Sequence, residues 1–130
     1  MRVVLDTNIL ISACWTPGGN EARVIAMAVG GALEIAVSDE LEAEYRDVAG
    51  RKKFAKQREA LEAAIDSLLA VASRVEPVAE CEACSDADDN QLLDCAVAAG
   101  AQFVVTGNGK HFPAEWRGVR VINARALLDL

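Results

Sequence analysis

An α/β domain with a largely parallel central sheet is what the sequence predicts, on three observations. Short apolar runs of strand length alternate with stretches of helical periodicity. The 130 residues fit one domain, residues 1–130, with little room for a second. Hydrophobic residues make up 52% and charged residues 25%, a balance that favours a packed core over disorder. Aromatic residues make up only 5%, and alanine is plentiful, which favours closely packed helices.

Residues 2–5, Arg-Val-Val-Leu, predict a short buried strand ending at Asp6. Residues 16–20, Thr-Pro-Gly-Gly-Asn, carry loop chemistry, and Asn20 can cap a helix over about 21–30 that Gly30 and Gly31 close. Residues 33–37 predict a second strand. Ser38 or Asp39 then caps a helix to about Ala49, with Gly50 as its stop and Asp39 and Glu42 at capping-box spacing. A longer helix is expected over about 54–72, with Phe54, Leu61, Ile65, Leu68, Leu69 and Ala72 as its apolar stripe. Residues 73–76 suit a short strand, and 77–87 an acidic loop. A helix over about 88–99 stops at Gly100. Residues 102–106 predict a strand before the turn at Gly107, Asn108 and Gly109, and 119–122 a last strand before a short C-terminal helix. In such sheets the site lies beyond the carboxyl ends of the strands, which points to Asp6, Ser38 and the segment Thr106 to Asn108.

Thirteen basic residues against twenty acidic ones give a net charge of −7, which argues against sequence-blind adhesion to nucleic acid or anionic lipid. No apolar run reaches the roughly 18 residues of a membrane span, and the N-terminus meets an acid too soon for a signal peptide, so a cytoplasmic protein is expected. The cysteines are Cys14, Cys81, Cys84 and Cys95. One Cys-x-x-Cys pair does not complete a structural zinc set, and free thiols in a reducing compartment are expected.

Three acids stand out. Asp6 ends an apolar strand, where capping of a following helix is the ordinary alternative. Glu44 lies with Leu41 and Val48 at i−3 and i+4, on the border of an apolar face, where it either points inward or snorkels. Asp89 has Leu92, Leu93 and Ala96 at i+3, i+4 and i+7, in the middle of the buried stripe, with an N-cap role as its alternative. Asp94 is roughly 140° away around the same helix and is expected at its periphery. Converging buried carboxylates need a counter-charge. With no buried lysine or arginine obvious near these motifs, Mg²⁺ or Mn²⁺ suits the hard-oxygen set. Arg46, Arg51, Lys52, Lys53, Lys56 and Arg58 crowd one segment, either as a phosphate-tracking patch or as a solvated face paired with Asp47, Glu59 and Glu62.

The motifs Val4-Leu5-Asp6-Thr7-Asn8-Ile9-Leu10-Ile11-Ser12, Ser38-Asp39-Glu40-Leu41-Glu42-Ala43-Glu44-Tyr45, Asp88-Asp89-Asn90-Gln91-Leu92-Leu93-Asp94-Cys95-Ala96 and Val104-Val105-Thr106-Gly107-Asn108 occur in this order along essentially the whole chain. The chain thereby resembles the PIN-domain family, and within it the VapC-like ribonucleases of bacterial toxin–antitoxin systems. The resemblance implies a three-layer α/β/α sandwich and metal-dependent cleavage of phosphodiester bonds, usually in RNA. It implies that Asp6, Glu44 and Asp89 bind the metal and that Asn8, Ser38 and Thr106 line or brace the site. Many members carry Asp two residues after the threonine; here Asn108 stands there, which puts a tight second metal in doubt. Asp94 is an outer-shell substitute at most.

The resulting expectation is one Mg²⁺ or Mn²⁺ on Asp6, Glu44 and Asp89, positioning a water for in-line attack, with Asn108 and Thr106 orienting that water or a phosphate oxygen. Lys110 and His111 sit in a loop where they could touch RNA. Resemblance to the family also implies a small antitoxin partner and a homodimer, with Trp15 and Trp116 as interface candidates. Two other classes stay open. One is aspartate-based phosphoryl transfer: a haloacid-dehalogenase-type phosphatase would need an acid where Asn8 stands, and a receiver domain would need Asp39 as acceptor. The other is a non-catalytic RNA- or partner-binding module that keeps the acidic pocket.

Overall fold

A computed structural model describes all residues, 1–130. The chain folds as an α/β domain with a six-stranded, mostly parallel sheet flanked by helices. Strand β1 (Arg2–Leu5) is followed by α1 (Thr7–Trp15) and α2 (Asn20–Val29). Then come β2 (Glu34–Val37), α3 (Asp39–Ala49), a 3₁₀ segment over Lys52–Gln57, and α4 (Arg58–Val71). The chain closes with β3 (Ser73–Arg74), α5 (Ala87–Ala99), β4 (Phe103–Val105), β5 (Glu115–Trp116), β6 (Val119–Ile122) and α6 (Ala124–Leu128).

The strand order is β3-β2-β1-β4-β6-β5. Every pair is parallel except β5 with β6. Val3, Val4 and Leu5 of β1, and Val104 and Val105 of β4, are fully buried. Their unbroken apolar runs are what a strand covered on both faces requires. Helix α5 lies across β1, β2 and β4, while α2 packs against α1, α4 and α6.

Several boundaries differ from expectation. The helix expected over 54–72 is divided: Phe54 adopts non-helical angles in the 3₁₀ segment, and its buried ring anchors that segment to the core. The cap of α2 is Gly19, not Asn20. Ser38, not Asp39, caps α3, its Oγ accepting the Leu41 N–H at 3.1 Å. Asp39 is bound instead to Arg74 across to β3. Strand β5 lies outside the expected elements; it forms a hairpin with β6 around Arg117 (φ +49°) and Gly118 (φ +86°). No helix is long and apolar enough to cross a membrane.

Candidate active site

Strands β1 and β4 lie side by side at the middle of the sheet, and both end on the same rim. That is where a doubly wound sheet opens a crevice. Asp6 emerges from β1 and Thr106 from β4. The Asp6 N–H donates to the Val105 carbonyl at 2.9 Å, so the two strand ends are locked together.

Asp6 occupies the position before α1 without a capping hydrogen bond from its side chain. Its carboxylate instead accepts the Thr106 hydroxyl at 2.7 Å and the Asn8 amide at 3.2 Å. Asn8 also accepts the Gly107 N–H at 3.1 Å, and Thr106 Oγ1 accepts the Asn108 N–H at 3.0 Å. Burial pushes the Asp6 carboxyl above its usual range, with the Thr106 hydrogen bond working against the rise.

Glu44 is delivered by α3. The next residue fixes the helix that presents it: the buried Tyr45 donates its hydroxyl to the Leu5 carbonyl at 2.6 Å and ties α3 to the end of β1. Burial, then the charge of Asp88, pushes Glu44 up to about 7, opposed by Arg51. Asp89, in the first turn of α5, is pushed up to about 6 by burial and by the charges of Asp6 and Asp86, opposed by His111. Asp86 holds the cap of that helix, accepting the Asp88 N–H at 2.8 Å.

Asp6, Glu44 and Asp89 line one cavity of about 240 Å³, together with Asp86, Asp88 and Arg51. Five carboxylates therefore face one space with a single cation among them, and Arg51 is already paired with Asp47 at 3.0 Å. Asp86 and Asp88 are not singled out by the sequence; their spacing within Asp86-Ala87-Asp88-Asp89 is the one signal, and it matches an ordinary acidic helix start. No three acidic, histidine or cysteine side chains stand at metal-ligating spacing. The donor set still fits a hard divalent ion, because Mg²⁺ keeps several waters and the cavity has room for them. Burial first, and neighbouring carboxylates second, disfavour the ionised forms of Asp6, Glu44 and Asp89, which a bound cation would offset.

Other candidates lie elsewhere. Asp94 points away from this cavity, as the helical angle requires, but is buried rather than peripheral. Its carboxylate accepts the N–H groups of Cys81 at 2.9 Å and Glu80 at 3.2 Å, pinning the 77–86 segment to α5. That pinning corrects its expected place at the helix periphery. Ser38 braces α3 and lines a different, smaller cavity. Asn108 is exposed and lines neither that cavity nor the acidic one. The Thr106 hydroxyl is engaged by Asp6, so it orients the carboxylate rather than a water.

Arg46 pairs with Glu62 and Asp66, and Arg58 binds the carbonyls of Ala49 and Gly50. Lys52, Lys53 and Lys56 are exposed and make no ion pair; Lys53 lies over the Phe54 ring at 5.0 Å. Trp15 is 57% exposed, whereas Trp116 is half-buried against the core. The four cysteines are free, and burial pushes Cys84 and Cys95 up to about 11, which leaves both protonated at neutral pH. Asp39, exposed and tied to Arg74, stands outside the acidic cavity, so a receiver-type site lacks its acceptor.

A mostly parallel sheet with an acidic crevice at the ends of its central strands defines the class. The PIN domain family matches residues 2–110, and the chain belongs to that family. No curated relative matches it in sequence. Among solved structures, a chain from VapBC2 of Rickettsia felis, bound to a DNA fragment from its promoter, is similar with a TM-score of 0.63 and 20% identity. That alignment covers 95% of this chain and 98% of the other. A chain from VapBC-1 of nontypeable Haemophilus influenzae is similar with a TM-score of 0.62 and 19% identity, covering 96% and 99%.

Proposed function

We propose that this protein is a metal-dependent endoribonuclease, the toxin component of a toxin–antitoxin pair. The observation that carries this reading is the cavity at the strand ends of a PIN domain, where five carboxylates meet and burial raises the pKa of three of them, Asp6, Glu44 and Asp89. Asp6, Glu44 and Asp89 would hold Mg²⁺ or Mn²⁺. Such an ion supplies charge neutralisation at a phosphodiester and lowers the pKa of water.

The chain's own residues do the rest. Thr106 and Asn8 fix the Asp6 carboxylate by two hydrogen bonds, and Tyr45 fixes the helix that presents Glu44. This outer support is what holds a ligand set in one geometry. Asp86 and Asp88 add negative charge that strengthens the demand for a cation. Water is the attacking group in this reading; the one hydroxyl side chain lining the cavity is that of the buried Thr7. Exposed Lys52, Lys53, Lys56 and Lys110 are the cations free to meet RNA phosphates, while Arg46 and Arg51 are partly neutralised by their acidic partners. The likeness to VapBC structures supports a small antitoxin partner, and a homodimer is proposed with it.

The test is cleavage of a mixed single-stranded RNA by purified protein in Mn²⁺, in Mg²⁺ and in chelator, beside Asp89→Asn. Metal-dependent cleavage that the variant loses supports the reading. An inert wild-type protein across varied RNAs, with or without metal, refutes it in favour of a binding module.

A further inference from the structure

A second, larger cavity of about 630 Å³ opens beside the acidic one. Asp86 and Asp89 line both, so they form the shared wall between the two spaces. Lys110 and His111, the only basic side chains of the larger cavity, line it as well, with Phe112 and Pro113 next to them in the chain. In the smaller cavity the one cation, Arg51, is paired with Asp47. Past the shared acids the lining therefore changes from carboxylates to the unpaired Lys110 and to His111. A polyanion crossing an acidic metal site needs such attraction beyond the negative wall where a divalent ion would sit.

Lys110 and His111 are held firmly for exposed residues. Their 3₁₀ turn, Gly109–His111, is tied at one end by the Asn108 N–H to Thr106, whose hydroxyl also holds Asp6. At the other end Phe112 is buried in the core, and its N–H donates to the Gly109 carbonyl at 3.1 Å. The turn is thus built onto the same hydrogen-bond network as the candidate metal ligand. His111 and Asp89 line the same cavity. Neither Lys110 nor His111 is in a salt bridge, so both remain available to an incoming anion.

We infer that the larger cavity is a nucleotide subsite of the ribonuclease proposed above: the single strand continues past the cleaved bond into it. The Lys110 ammonium and the His111 ring hold the next phosphate. Pro113, half-buried, offers the sugar or base an apolar surface. The volume lies within the roughly 300–1,000 Å³ of sites that take small organic ligands. This inference rests on the ribonuclease reading and adds to it a required length of strand on one side of the cut.

The test measures binding and cleavage separately. Labelled single-stranded RNAs of increasing length are titrated onto Glu44→Gln protein in Mg²⁺, alone and with Lys110→Ala and His111→Ala added. Thermal melts check that the added changes, both at exposed positions, leave the fold intact. The expected result is about tenfold weaker binding of the longer strands in the triple variant. The slope of log affinity against log salt should flatten by about 0.7 for each phosphate that the variant no longer neutralises. Equal affinity and equal salt slope overturn the subsite. If Glu44→Gln protein binds no RNA, the subsite falls as well, and wild-type cleavage then decides the parent reading: cleavage keeps it, and no cleavage removes both.

Discussion

Replacing Asp89 by asparagine should stabilise the metal-free protein at neutral pH. Asp89 ionises near 3.8 in an unstructured chain and at about 6 in the fold, because burial and the charges of Asp6 and Asp86 oppose its ionisation. A carboxyl whose folded pKa is raised costs stability once the unfolded chain can ionise it. The cost appears as pH rises above 3.8, grows until about 6, and is constant beyond. A displacement of this size would carry about 3 kcal/mol if the group were dry. Asp89 is only half-buried, and solvent screening brings the figure to about 1 kcal/mol. For a domain of this size that is about 4 °C in Tm. The assay is thermal unfolding in chelator at pH 4 and pH 8, wild type beside Asp89→Asn. The variant should melt about 4 °C higher at pH 8, and the gap should close near pH 4. A variant that melts lower at pH 8, or a gap independent of pH, would refute the electrostatic account of the cavity.

Three other substitutions separate support from chemistry. Asp94→Ala should cost about 1–3 kcal/mol, since it strands the Cys81 and Glu80 N–H groups, yet RNA cleavage per folded molecule should survive; denaturant unfolding and a cleavage assay read the two effects. Thr106→Val keeps the volume and removes the donor to Asp6, so cleavage should fall about 10–100-fold with little change in fold by circular dichroism. Tyr45→Phe leaves the Leu5 carbonyl without its partner and should cost about 1–3 kcal/mol in urea unfolding.

The parallel sheet is legible in the sequence because its strands announce themselves. Arg2–Leu5 and Phe103–Val105 are short runs rich in valine, each followed by a polar residue: Asp6, which lines the crevice, and Thr106, which holds Asp6. Helical phase is equally informative for Asp89. Counting 3.6 residues per turn from Leu92, Leu93 and Ala96 turns it toward the core side, and the fold sets it beside Asp6. The same count turns Asp94 away from the acidic cavity but does not reveal its burial, because the covering segment 77–86 has no periodicity. Tertiary packing, not local pattern, decides that. The break near Phe54 is hidden for a similar reason: Phe54, Leu61 and Ile65 keep helical spacing across a non-helical residue. The hairpin of β5 and β6 rests on two residue pairs, Glu115 with Arg120 and Trp116 with Val119, too short to leave a period-2 signal. Asp86 and Asp88 share the cavity through a helix start whose local pattern says only that it is acidic.

The most direct test of the central claim is Mn²⁺ binding by calorimetry to wild type, Asp89→Asn and Asp94→Asn. The account predicts saturable binding to the wild type, its loss in Asp89→Asn, and its retention in Asp94→Asn, whose side chain faces another part of the molecule. Binding that survives Asp89→Asn and disappears in Asp94→Asn, or a wild type that takes up no Mn²⁺, would contradict a metal site in the crevice between Asp6, Glu44 and Asp89.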